Sequence, residues 1–407
     1  MSLVHNLGRF LLERGGWRVA NEIVVDDERS HPRLLRLRIG TKGSPSRLWG
    51  FGVFWLGLTK RSEAEELPTA HDDVNEVRYQ KNRIRYSIYD TEFEPNVDQD
   101  FQTGDSETYH RIPHIIHFIF ISSIESKNDL PEMFKANVNS FFHFNPSWTY
   151  YFWTNISARQ LIATKHPSLL ETWDNYPLVI NKADALRYVL LYEFGGVYAD
   201  LDMKCLRPLD RATIKYSCIL TPEPFVHSAI IYKMSYLLSN AFMMCRPKHP
   251  FMKVAILSLS KFATRPSPSR KAGPMFLTIM FKRYNKLTHR DEHRVKTQFE
   301  SNSPYFYKGS LREDHINAVY VANTKYFMNN FDTRVDFDSM CSNAYIQIVK
   351  RGCILWLQRK SLQTKNVYSY TNHNWAHVYS FRNSTRMVRI DSVITRSQLK
   401  LWKADIT

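Results

Sequence analysis

The sequence predicts an α/β domain built around a mainly parallel sheet, and three features carry that expectation. Between Arg111 and Asp202, short apolar runs alternate with helical patterns in the order strand, helix, strand, helix, strand. The first run, Ile112–Ser122, is almost continuously apolar, as in a strand covered on both faces. The chain has 407 residues, 43% hydrophobic and 23% charged, which suffices for one large domain or two ordinary ones.

Residues 1–110 read differently. They hold an Arg- and Lys-rich stretch at His31–Arg47, a short apolar run at Leu48–Leu58 and a polar stretch, Lys60–Tyr109. We expect a partly disordered N-terminal tail or stem. The apolar run has eleven residues, whereas a spanning helix needs roughly 20. The start of the chain also lacks the usual form of a signal peptide.

Order is expected from Arg111, with a domain over 111–385 and a C-terminal extension over 386–407. After Ile112–Ser122 comes a helical stretch, Pro131–Phe144, stopped by Asn145-Pro146. Trp148–Thr154 is an aromatic strand candidate, and Ile156–Trp173 reads as helical. Leu178–Phe194 is a clearer helix, ended by Gly195-Gly196, and Val197–Leu201 is the next strand. Further on, Phe251–Phe262 and Met275–Tyr284 have helical patterns.

The net charge of +16 favours anionic partners. Signatures of nucleic-acid-reading modules are missing, so a nucleic acid is not among the expected partners. The five cysteines include no C-x-x-C pair, which argues against structural zinc and leaves room for one or two disulfides. Two N-x-S/T sequons, at Asn155 and Asn383, would be used only in a secretory lumen.

Asp-x-Asp occurs three times, at Asp98/Asp100, Asp200/Asp202 and Asp336/Asp338. A solvated acidic pair is the default for each. Only the middle one has a supporting context, NKADALRYVLLYEFGGVYADLD from Asn181 to Asp202. Asp184 and Arg187, three apart, share a helix face, although an ordinary helix ion pair would look the same. The strand after the glycine turn delivers Asp200 and Asp202 to a sheet edge, where open α/β sheets bind ligands. Two such carboxylates are hard ligands suited to Mn²⁺ or Mg²⁺ on a diphosphate. His114 and His117, three apart on a strand, should face opposite sides. His373 and His377 have a zinc-protease spacing, but Asn374 stands where the catalytic Glu would be.

Asp-x-x-Arg-Tyr followed by Gly-Gly-Val-Tyr-x-Asp-x-Asp resembles the DXD sugar-binding region of glycosyltransferase family 32, with Ile112–Ile121 and Trp148–Thr154 similar to that family's first two strands. The resemblance implies a GT-A type nucleotide-sugar-binding fold and a retaining, metal-dependent hexosyl transfer. It implies that Asp202 coordinates Mn²⁺, and that Asp200 contacts the donor and the metal. Asp184 and Arg187 would hold sugar hydroxyls, and Phe120 would stack on the base where the family usually has Trp. Gly273-Pro274 would open a helix near the acceptor. His373, in a segment that only partly keeps the family's His-His-Trp-x-x-Ser-Trp, is a further candidate metal ligand.

Ala272–Phe276 is most similar to the mannosyl-inositol-phosphoceramide branch, which points to GDP-mannose as donor and a glycan or glycolipid as acceptor. Transfer from UDP-galactose or UDP-N-acetylglucosamine, and a catalytically silent sugar- or polyanion-binding protein, are the alternatives. The family's usual place is the Golgi membrane, with association through the N-terminal region.

Overall fold

The computed structural model describes residues 95, 97–101, 109–122, 129–287, 315–361, 366–376, 386–395 and 397–402. The runs at 31–47 and 48–58, the sequon at Asn383 and His377 lie outside them.

Among the described residues eleven strands follow in chain order: β1 Ile115–Ile119, β2 Asp129–Pro131, β3 Thr149–Trp153, β4 Gly196–Ala199, β5 Met203–Cys205, β6 Cys218–Pro222, β7 Leu238–Cys245, β8 Tyr320–Val321, β9 Thr371–His373, β10 Met387–Arg389 and β11 Leu399–Lys400. Seven form the central sheet in the order β11-β3-β1-β4-β7-β6-β8. Only β7 runs against the rest, since β1 pairs parallel with β3 and β4, β11 with β3, and β8 with β6. The sheet is thus mainly parallel, as expected of a GT-A type fold.

Side chains largely alternate across this sheet. Along β7, Phe242 and Met244 join one hydrophobic cluster, and Met243 and Cys245 join the other. Helices Val179–Glu193, Pro250–Phe262 and Pro274–Asn285 contribute to the latter cluster, and Lys135–Phe144 covers the opposite face. A third cluster joins helices Phe225–Ile230, Phe337–Ser342 and Gln347–Ser361, the last two bridged by Cys341–Cys353. A second disulfide links Cys218 to Cys245 across β6 and β7, and Cys205 stays free and buried.

The helical stretch 156–173 divides into Asn155–Lys165 and Pro167–Asp174. Pro167 has no N–H to continue a helix and suits a first turn, so it starts a new one. Pro131 ends β2 rather than opening a helix, and Lys135–Phe144 begins after a short 3-10 turn. Ser157 of the Asn155 sequon is buried in a capping box with Thr154.

Two segments placed outside the domain by sequence join it. Val97–Phe101 is a helix whose buried Phe101 packs edge-on against Tyr326 and Tyr370. Past residue 385, β10 pairs with β2, and β11 extends the central sheet beside β3. Strands of two or three residues in polar surroundings have no readable period.

Candidate active site

The chain runs from β1 to β3 on one side of β1, then returns to β4 on the other. The switch point therefore lies between the carboxyl ends of β1 and β4, where such sheets open a crevice. Phe120 follows β1 and is half-buried, and Asp200 follows β4.

Gly195 and Gly196 make this convergence possible. Their φ angles are +66° and +93°, a region costly for residues with a Cβ. A Cβ on Gly196 would lie 2.4 Å from the Ile115 carbonyl oxygen, so only glycine lets β4 start this close to β1. His117 braces the turn by donating from Nε2 to the Gly195 carbonyl (2.9 Å) while its Nδ1 accepts from the Trp153 indole (3.2 Å). Burial lowers its pKa to about 4 and keeps it neutral. His114 sits just before the strand and stacks on Trp148, so the two histidines serve different places.

On helix Val179–Glu193, Arg187 contacts Asp184 at 2.9 Å and reaches Asp200 at 3.4 Å. It also donates to the Asn240 carbonyl at 2.5 Å and lies 4.6 Å from the Tyr198 ring centre. The Asn240 amide donates to Asp184 (2.9 Å), and the Tyr198 hydroxyl donates to Asp200. The helix pair thus belongs to a buried network that spans β4 and β7. Burial pushes the Asp184 carboxyl up to about 6, against the pull of Arg187. Burial also raises Asp200, whose side chain remains 30% exposed at the rim, with Arg187 opposing and Asp202 adding. Arg187 is disfavoured by burial but raised overall, chiefly by Asp200.

Asp202 faces a different set of groups. Its Oδ1 lies 3.1 Å from His373 Nε2, its Oδ2 accepts the Ala376 N–H at 2.7 Å, and its carbonyl accepts the Asn374 N–H at 3.0 Å. Pairing of β5 with β9, Met203 opposite His373, brings that distant segment in. Burial alone would raise Asp202, but His373 and the Ala376 N–H hold it below the usual carboxylate range. His373 is lowered by burial and raised more by Asp202, ending above its ordinary value.

Asp200, Asp202 and His373 present donor atoms within 4.8 Å of one another. His373 Nδ1 is buried without a hydrogen-bond partner. Two carboxylates and one imidazole fit Mn²⁺ better than Mg²⁺, which keeps to oxygen ligands. Gly273 closes in on the Asp184 carboxylate, since a Cβ there would lie 3.2 Å from its Oδ2, and Pro274 starts the next helix.

The other Asp-x-Asp pairs are structural. Asp100 is buried and bonded to the Tyr326 hydroxyl, and Asp98 pairs with Arg211. Asp336 caps helix Phe337–Ser342, and Asp338 takes the Trp356 indole and Lys360. The sequence did not single out Asn240 or Tyr198. Only Tyr198, two residues before Asp200, had a local signal.

A family model described as the glycosyltransferase sugar-binding region containing the DXD motif matches residues 131–219. Inositol phosphoceramide mannosyltransferase 1 of Schizosaccharomyces pombe is 29% identical over 236 residues, covering 55% of this chain and 69% of that protein. Mannosyl phosphorylinositol ceramide synthase SUR1 of Saccharomyces cerevisiae is 30% identical over 216 residues, 52% of each chain. Its counterpart CSH1 from the same yeast is 28% identical over 346 residues, 77% of this chain and 85% of that one.

Proposed function

We propose that this chain, which belongs to glycosyltransferase family 32, moves mannose from GDP-mannose to an inositol-phosphoceramide-type glycolipid with retention at the anomeric carbon. The observation that carries the reading is the meeting of Asp200, Asp202 and His373 at the end of β4, beside an Arg187 that ties Asp184 to Asp200.

Asp200, Asp202 and His373 would hold Mn²⁺, which when bound supplies positive charge to the donor diphosphate. Asp184 and Arg187 would bind hydroxyls of the mannose, and their mutual ion pair presets both side chains before the sugar arrives. Arg187 adds fixed positive charge beside the leaving group. Phe120 would stack on the guanine. In the transfer, the anomeric carbon–phosphate oxygen bond breaks with its electrons going to GDP. The acceptor oxygen bonds to that carbon on the same face, and its proton passes to the departing phosphate.

Two disulfides suit an oxidising lumen, and the names of the yeast relatives fit a place in lipid glycosylation, so we assign the chain to the Golgi. Among the described residues no helix is long and apolar enough to cross a membrane.

The test is GDP or UDP release from a panel of nucleotide sugars, with and without Mn²⁺, using wild type and Asp202→Ala. Mn²⁺-dependent GDP release from GDP-mannose, lost in Asp202→Ala, is the expected result. Release from UDP-galactose or UDP-N-acetylglucosamine instead would move the donor assignment. Equal near-zero turnover by both proteins with every donor would leave a sugar- or polyanion-binding protein.

A further inference from the structure

Glu223 follows directly on β6, whose carboxyl end lies on the same sheet edge as that of β4. Its residue is only 6% exposed. Among the described residues the carboxylate's ion-pair partner is His227, with Nδ1 3.5 Å from Oε2. His227 Nε2 accepts the Asp332 backbone N–H at 3.0 Å, which puts the ring proton on Nδ1, facing Glu223. The histidine is therefore fixed from behind while it holds the carboxylate.

This pair is linked to the candidate metal site by ring contacts. The His227 ring centre lies 4.4 Å from that of Trp375, and Trp375 lies 4.1 Å from His373. Trp375 holds φ +53°, a left-handed conformation that a bulky residue adopts only when its surroundings enforce it. Its indole donates to the Asn330 carbonyl at 2.9 Å, which pins it between the two histidines. Asp184 and Arg187 converge on β7 from the β4 side, through Asn240. Glu223 stands on the other side of β7, tied to it through its N–H to the Leu237 carbonyl. A carboxylate offers several acceptor positions, and one whose ion pair is a single 3.5 Å contact to an imidazole keeps acceptor capacity for a ligand hydroxyl.

We infer that Glu223 and His227 form a subsite for the acceptor head group. Glu223 accepts the hydrogen bond of a hydroxyl next to the attacking one, whose own proton goes to the departing phosphate, and His227 is a positioning residue that fixes the carboxylate. The ligand class is a polyol or cyclitol head group, and the inference rests on the transferase reading above.

The full chain is assayed with GDP-mannose, Mn²⁺ and inositol phosphoceramide in mixed micelles, alongside GDP affinity and donor hydrolysis by water. Glu223→Gln keeps the shape and removes the charge. It should lower transfer by about 10- to 100-fold, the scale of one hydrogen bond to a charged group, while GDP affinity and hydrolysis stay near wild type. His227→Asn should act mainly through a raised acceptor KM, with kcat changed less. Wild-type transfer by Glu223→Gln, or parallel loss of GDP affinity, overturns the subsite and leaves the transferase standing. A wild type inactive with every donor and acceptor overturns both.

Discussion

Asp202 and His373 are 171 residues apart in the chain and meet at 3.1 Å, Oδ1 to Nε2. The C-terminal segment also supplies the Ala376 N–H to the second carboxylate oxygen and the Asn374 N–H to the Asp202 carbonyl. The Asp202 side chain is therefore oriented by a segment that does not join it in sequence.

That arrangement separates two variants. Losing an outer-shell partner typically weakens metal binding by about 10- to 100-fold. His373→Ala, which removes a donor and an orienting contact, should raise the Mn²⁺ concentration for half-maximal GDP release at least that much, with partial recovery at high Mn²⁺. Asp202→Ala should show no recovery. Titrating Mn²⁺ against GDP release reads both, and equal curves for wild type and His373→Ala would remove His373 from the metal site.

Arg187 compensates two carboxylates at once, Asp184 at 2.9 Å and Asp200 at 3.4 Å. Removing one member of a buried ion pair costs about 3–5 kcal/mol because the other charge stays behind. Arg187→Ala should lose about that much stability in urea at neutral pH, without any donor present. Arg187→Lys keeps the charge but not the planar fork, and should fall between. A variant as stable as wild type would show that solvent already screens both acids.

The helix-turn-strand unit holding Asp184, Arg187, Asp200 and Asp202 was legible because its signals are local. They lie within 19 positions, with the i, i+3 and i, i+2 spacings that fix a face. His373 was legible only through resemblance, since its contact with Asp202 depends on β5 pairing with β9. Asn240 and Glu223 gave no signal. Their position comes from the reversed β7 and the end of β6, and a single polar residue at a strand end has no period. β11 and the Val97–Phe101 helix escaped for a related reason, being held by long-range contacts rather than by a pattern.

Gly196→Ala should be poorly tolerated even though it adds one methyl group. Left-handed backbone costs a residue with a Cβ roughly 1–2 kcal/mol. The new carbon would also sit 2.4 Å from the Ile115 carbonyl oxygen, so β1 and β4 must part. We expect a loss above about 2 kcal/mol in urea unfolding and weaker Mn²⁺ binding, because β4 delivers Asp200. Wild-type values in both assays would mean that the strands part freely.

His117 gives a pH signature. Its folded pKa is depressed from 6.5 to about 4, mainly by burial. The unfolded chain takes up a proton below pH 6.5 that the folded chain refuses until about pH 4. The stability from this neutral histidine is complete above pH 6.5 and is lost progressively as pH falls towards 4. Between pH 7.5 and 4.5 the loss should be about 2–3 kcal/mol. His117→Asn cannot titrate but can still accept from Trp153 and donate to Gly195. Its urea stability should therefore fall less over that interval, by about that amount. His249, lowered to about 3 by burial and then by Arg246, keeps its own contribution in both proteins, so the acid limb shrinks without vanishing. An identical pH dependence in wild type and His117→Asn would mean that His117 titrates normally in the fold.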